Sequence, residues 1–389
     1  MVLTHSEIGR RIHTVREELG IPIEALAKAC GTAPSAITSL EAGTLDPVPG
    51  DYILIASRVL RTDFRYFVSD ALDDVEKNTH QVFRALARPQ PSDLIAIRRF
   101  MTFCMGEQEL EALLGVQGPP LPPLYPRPGI AARSHRDQGR GAATMERDRL
   151  LLGNQPIPNV FEVLRRQGVR LLRHRMTDAE LSGVTVSHPK AGVCVLVNYE
   201  DDLYRQFFSA AHEYCHVLFD REEIATNGCI ASYRYTNREL AEMRANAFAG
   251  EFLLPSGALS KYPRARDISE LESLIATIAR DYRVNTEPVA IRMKGQGWIT
   301  DRTLASFQKT RPVVIPRREK TDPDIPRDLS DRQMARLETV IQHGISAYYL
   351  ELLRRALTED KITSGRFAEL LDMTVEESQE FISSVGMAL

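Results

Sequence analysis

The five residues His212-Glu213-Tyr214-Cys215-His216 constrain this chain more than any other stretch. Residues 203–211 lead into them and Val217, Leu218 and Phe219 lead out, with no proline or glycine, so the pattern predicts one uninterrupted helix. Side chains four apart stack on one helix face, so His212 and His216 aim ring nitrogens at a common point while Glu213 stands beside it. That geometry predicts a metal site, with Zn2+ the leading ion and Mn2+ or Fe2+ compatible with the same donors. A second helical run, residues 238–249, places Glu242 at a distance of 26 residues from His216. Glu239 and Glu242 lie three apart on one face of that run, and both compete for the place of third ligand. Two imidazoles and one carboxylate leave a position for water, which separates a catalytic ion from a closed structural one. In such a site zinc lowers the pKa of water to about 7. Glu213 then takes the proton as hydroxide attacks a peptide carbonyl, and returns it to the leaving amine. Tyr233, Tyr235 and His188 are candidates for the hydrogen-bond donor to the developing oxyanion. Cys215 reads as a small core side chain.

At 389 residues the chain is long enough for two to four domains. Its net charge of -3 excludes a global cationic signature of nucleic-acid binding. The five cysteines are odd in number and lack CxxC spacing, which points to reduced thiols rather than a disulfide framework. The first seven residues do not read as a signal peptide, and no stretch approaches the roughly 20 apolar residues of a membrane span. A cytoplasmic protein without a membrane partner is expected.

Residues 1–70 predict five short helices. Ile8, Ile12, Val15 and Leu19 recur at helical spacing up to Gly20; Pro22 opens a helix that ends at Gly31, and Pro34 opens the next, which ends at Gly43. Helix, glycine turn, helix is the helix-turn-helix pattern. Residues 26–43, Leu-Ala-Lys-Ala-Cys-Gly-Thr-Ala-Pro-Ser-Ala-Ile-Thr-Ser-Leu-Glu-Ala-Gly, resemble the lambda-repressor-like (XRE) DNA-binding family. The resemblance implies that Pro34, Ser35, Thr38 and Ser39 face DNA from the recognition helix and that Arg16 pairs with Glu41. Ile23 departs from it, standing where the family usually has a polar side chain that meets a phosphate. Seven Lys and Arg stand against nine Asp and Glu across 1–70, a net of -2, so the module must dimerise or borrow positive charge to hold a phosphate backbone. A bundle kept for protein contacts is the competing reading.

Residues 71–115 predict a helical connector interrupted by Pro89 and Pro91. Residues 116–130 form a proline-dense linker, around which motion between the two halves is expected. A module spanning 131–300 follows. It is expected to contain an initial helix to about Leu152 and three strands, 169–172, 181–187 and 193–198, with residues 195–198 as the edge onto which a substrate peptide adds. Ten arginines between 133 and 175 stand against four acids, a net of +6, and could supply phosphate affinity or lie on solvated helix faces. Residues 301–328 predict a second linker. Residues 329–389 predict a C-terminal helical domain, in which 361–371 have a faint helix-turn-helix look.

Residues 205–216, Arg-Gln-Phe-Phe-Ser-Ala-Ala-His-Glu-Tyr-Cys-His, and residues 242–255, Glu-Met-Arg-Ala-Asn-Ala-Phe-Ala-Gly-Glu-Phe-Leu-Leu-Pro, occur in order. Together they resemble the ImmA/IrrE family of zinc metallopeptidases over about 150–255. The resemblance implies Glu242 as third ligand with His212 and His216, and Glu213 as the catalytic residue. Arg244 departs from it, since relatives often have a second carboxylate there. The expected fold is multidomain and mainly α: an XRE-like bundle, a helical connector, an α+β zincin-like domain with a small sheet, and a C-terminal helical domain. The resemblance implies a bacterial or phage regulator that cleaves a protein substrate, an XRE-type repressor, in trans or by self-cleavage, in a stress response; a homodimer is the expected assembly for the acidic amino-terminal module. The alternative is a DNA-binding regulator or antitoxin-like protein whose peptidase fold senses without cutting.

Overall fold

The computed structural model describes residues 3–87, 90–126, 135–178, 180–233, 240–311, 314–326 and 328–385. They cluster into two compact units, Met1–Met105 with Met176–Asp178, and Gly106–Arg175 with Ala179–Leu389.

The first unit begins with α1 (His5–Glu18), α2 (Ile23–Ala29), α3 (Pro34–Glu41), α4 (Gly50–Val59) and α5 (Phe64–Val68), the five short helices the sequence predicts. Gly20, Gly31 and Gly43 adopt positive φ at the ends of α1, α2 and α3, where a β-carbon would be strained. Ile12, Val15, Leu26, Ile37, Leu40 and Phe67 fill a common core. Arg16 grips Glu41 through Nε (2.5 Å) and Nη2 (2.9 Å), so the predicted pair closes α1 onto α3. α6 (Asp73–Ala85) follows, and α7 (Pro91–Leu114) starts at Pro91, where a missing N–H costs nothing.

In the second unit residues 116–126 form neither helix nor strand, as their prolines dictate. They act as a strap. Tyr125 N–H donates to Leu218 O (2.9 Å), its hydroxyl donates to Glu146 (2.9 Å), and Arg221 donates to the carbonyl of Pro122 (2.5 Å). Then come α8 (His135–Arg149), α9 (Val160–Arg165), β1 (Arg170–His174), β2 (Leu181–His188), β3 (Gly192–Asn198), α10 (Leu203–Phe219), α11 (Arg221–Asn227), β4 (Cys229–Tyr233) and α12 (Leu240–Leu253). α13 (Ile268–Tyr282), α14 (Thr286–Gly295), α15 (Asp301–Thr310), α16 (Asp331–Gln342), α17 (Ala347–Thr358), α18 (Ser364–Leu370) and α19 (Val375–Val385) complete the unit.

The sheet order is β1-β3-β2-β4, with β1 parallel to β3 and the other pairs antiparallel. This corrects the expectation that residues 195–198 form a substrate-accepting edge. They lie on β3, bonded on both sides, and their unbroken burial is that of an inner strand. The edges are β1 and β4, and β1 is bridged through His174 to His343. Residues 301–310, expected within a linker, form α15, because Thr300 caps an amphipathic turn by accepting from Thr303 N–H.

The arginine-rich stretch divides between the two readings, with most of its described members paired and some on exposed faces. Arg147 donates to three backbone carbonyls, those of Gly153, Gln155 and Phe252. Arg149 pairs with Glu146, Arg166 with Glu162, Arg170 with Glu111, and Arg175 with Glu200. Arg173, with a side chain 1% exposed, binds Asp322 (2.7 Å) and Asp324 (2.9 Å) and stacks over Phe161. Arg165 shares Asp324. Arg147, Arg165, Arg170 and Arg173 thus staple the unit together, whereas Arg166 and Arg175 lie on its exposed face.

Burial alone would raise the Asp324 carboxyl, but Arg165 and Arg173 outweigh it and hold the group down at about 2. The stability this supplies is therefore present above the ordinary aspartate range near about 3.9 and is lost as pH falls through about 2. Replacing Arg173 by Met leaves Asp322 without its guanidinium and Asp324 with Arg165 alone in a largely buried site. Denaturant unfolding should show a loss of about 3–5 kcal/mol at neutral pH, narrowing as the pH drops below 3.

Candidate metal centre

α10 begins at Asp202, which accepts from Tyr204 N–H and is held by Lys320 Nζ (2.6 Å). Its core face carries Phe207, Ala211, Tyr214, Cys215 and Leu218, all fully buried. Tyr214 packs against Phe248 and Phe252 of α12 and donates its hydroxyl to Glu146 of α8 (2.5 Å). Aromatic packing thus fixes α10 against α12. Cys215 belongs to this core, where burial pushes its thiol far up, which removes it from ligand chemistry as expected.

The same packing brings His212, His216 and Glu242 together. His212 Nε2 lies 3.3 Å from His216 Nε2 and 3.2 Å from Glu242 Oε2, and His216 Nε2 lies 3.3 Å from Glu242 Oε1. Ligand bonds of about 2.0–2.1 Å at tetrahedral angles put neighbouring donor atoms about 3.3–3.4 Å apart, so the three fit one zinc-sized ion.

The far sides of the rings support the same conclusion. His216 Nδ1–H donates to Asp220 Oδ2 (2.8 Å), and His212 Nδ1–H donates to Asn246 Oδ1 (3.0 Å). With each Nδ1 proton engaged there, the two Nε2 atoms face one another across 3.3 Å, a place for the proton of His216 or, instead of it, a shared cation. Asp220 is gripped in turn by Arg244 Nη2 at 2.6 and 2.8 Å, and Arg244 lies over the Phe219 ring. The departure at Arg244 therefore sits two links behind His216.

In the metal-free protein burial pushes the His216 imidazole down, but its bonds to Asp220 and Glu242 prevail and carry it up to about 10. Glu242 moves the other way, to about 2, because the two imidazoles outweigh its burial. A metal must therefore displace a proton from His216.

Glu213 is fully buried on the sheet side of α10. Thr185 Oγ1–H on β2 donates to its Oε2 (2.6 Å), while Oε1 is buried with no hydrogen-bond partner among the described residues. A β-carbon at Gly183 would stand 2.6 Å from Oε1, so only glycine admits the carboxylate here. Thr185, Gly183, Asp220 and Asn246 escaped the sequence reading. Asn246 does follow Glu242 by one helical turn, which would have marked it as a partner for a ligand.

Of the oxyanion candidates, His188 accepts from the N–H groups of Lys190 and Ala191 (both 3.1 Å), which makes it a turn residue. Tyr233 ends β4 opposite Leu181. Tyr235, and the competing ligand Glu239, lie outside the described residues. In the first unit Pro34, Ser35 and Thr38 are exposed on α3 and Ser39 is half-buried, while Ile23 packs against the bundle core.

Residues 164–294 match the family described as the IrrE N-terminal-like domain, Peptidase_M78. The chain carries a Peptidase_M78 domain. An XRE-like helix-turn-helix domain precedes it, matched by the Helix-turn-helix family HTH_3 over residues 12–67. No curated protein matches the chain. The Peptidase_M78 match spans α10, α12 and the whole sheet, and so contains every residue of the metal cluster. Among the described residues no helix is long and apolar enough to cross a membrane.

The bonds behind the cluster would set its affinity for a metal ion. Asp220→Ala and Asn246→Ala should each weaken zinc binding about 10–100-fold in titrations against a chelator. Wild-type affinity should rise with pH up to about 10, as His216 gives up its proton.

Proposed function

We propose that this chain is a helix-turn-helix-linked zinc metallo-endopeptidase that regulates transcription by cleaving a repressor, in trans or within itself. One observation carries the reading: the unpartnered Oε1 of Glu213 lies on the residue next to a three-donor cluster with the spacing of a tetrahedral site. His212, His216 and Glu242 would hold the ion. When bound, zinc supplies a Lewis acid that acidifies water and polarises a carbonyl. Glu213 would take the proton of the attacking water on Oε1 and pass it to the leaving amine nitrogen. Thr185, bonded to Oε2, holds that carboxylate in one orientation throughout.

An extended substrate would add to β4, the edge strand beside β2 and therefore on the Glu213 side of the sheet. The repressor as substrate rests on the helix-turn-helix domain in the same chain, since that domain brings the peptidase to DNA or to another protein of its own kind.

Glu213→Gln should abolish cleavage of repressors encoded beside the gene while zinc content stays the same. Equal cutting by mutant and wild type would refute the mechanism. A chain that binds operator DNA and cuts nothing in either form would favour a non-cleaving sensor.

The DNA side makes its own prediction. Residues 1–70 have a net charge of -2, and several of the arginines expected to supplement it, Arg149, Arg170 and Arg173 among them, are engaged within the other unit. Few phosphates should be neutralised. Fluorescence anisotropy on operator fragments should give a log K against log salt slope shallower than about -4, at about -0.9 per phosphate.

A further inference from the structure

Beside the metal cluster a cleft of about 570 Å³ opens between α10, α12 and α14, within the roughly 300–1,000 Å³ of ligand-holding pockets. Asn246, the partner of His212, lines it. So does Phe208, one turn ahead of His212 on the same face of α10. From the cluster the cleft runs over Ala247 and Gly250 of α12 toward Ile291 of α14.

Two features mark it as more than a packing gap. Gly250 lies in the interior of α12, where glycine weakens a helix relative to alanine, yet an added β-carbon would meet nothing within 4 Å. Packing does not require glycine there, and its missing side chain widens the cleft. The lining charge is also one-sided, with Arg140, Arg205 and Arg292 against Glu287. Arg292 pairs with Glu251 (2.5 Å), Arg140 with Asp137 (3.6 Å) and Arg205 with Asp201 (3.5 Å), and none of these three acids lines the cleft.

The geometry points to this cleft as the specificity subsite of the proposed peptidase, taking a short extended stretch of substrate beside the scissile bond. An apolar side chain packs on Phe208 and Ile291, and a neighbouring acidic one faces Arg140 and Arg205. The inference rests on the peptidase reading for the word substrate, but the cleft's preference for such a peptide can be measured without turnover.

Zinc-loaded full-length protein is incubated with a random-peptide library and the cut ends are sequenced by mass spectrometry. Leu, Ile or Phe should be enriched at one position flanking the cut, with Asp or Glu next to it. Gly250→Leu should lower kcat/KM for the best peptide at least about 10-fold at unchanged zinc content. It should also weaken binding of the same fluorescein-labelled peptide to Glu213→Gln protein by a similar factor. Gly250→Ala, which adds one methyl group, should raise Tm and keep cleavage near wild type. Arg140→Glu should turn the acidic preference toward Lys or Arg. If Gly250→Leu cuts and binds like wild type, or Arg140→Glu leaves the preference untouched, the subsite is refuted and the peptidase stands. If wild type cuts nothing while Glu213→Gln protein binds acidic-apolar peptides in a Gly250-dependent way, the cleavage mechanism is refuted and the cleft stands as a peptide site.

Discussion

Three donor atoms meeting at about the edge length of one coordination tetrahedron are the constraint around which the polar side chains of the second unit are arranged. Without a cation they form a costly group: two imidazoles, that of His216 carrying a proton, and a carboxylate in a site that admits little water. Such a group persists because larger forces hold its helices in place. Tyr214, Phe248 and Phe252 lock α10 to α12, and the strap through Tyr125 ties the end of α10 to residues far back in the chain. The hydrophobic core supplies the rigidity, and the polar cluster uses it.

Around the cluster each polar side chain has a defined task. Asp220 and Asn246 fix the two rings by their Nδ1 protons, and Arg244 fixes Asp220. Glu213 is kept apart from the ligands by its own partner on β2 and by the missing side chain at Gly183. The division separates the groups that would hold the ion from the one group left free to move a proton. Arg244 acts on a neighbour of His216 and not on the three donor atoms themselves.

Much of this was legible in the sequence because helical periodicity is local. The i, i+4 histidines, the proline that opens α3, the glycines that end α1 to α3 and the Arg16–Glu41 pair all follow from short-range rules together with family resemblance. What escaped depends on long-range pairing. β4 is five residues of mixed burial without a strong alternation, and only pairing with β2 makes it a strand. That strand takes the edge and moves residues 195–198 inside. The arginines of 165–175 look like a basic patch until the chain brings Asp322 and Asp324 back from some 150 residues away. Thr185 and Gly183 carry no motif, and their meaning appears only when β2 lies against α10.

The most direct test of the account is zinc K-edge X-ray absorption on the full-length protein loaded with one equivalent of metal. Two imidazole scattering patterns with oxygen donors, all at about 2.0–2.1 Å, are predicted, with one oxygen donor replaced when Glu242 is changed to Ala. A sulfur shell near about 2.3 Å, or a spectrum unaltered by loss of Glu242, would contradict the assignment of the site.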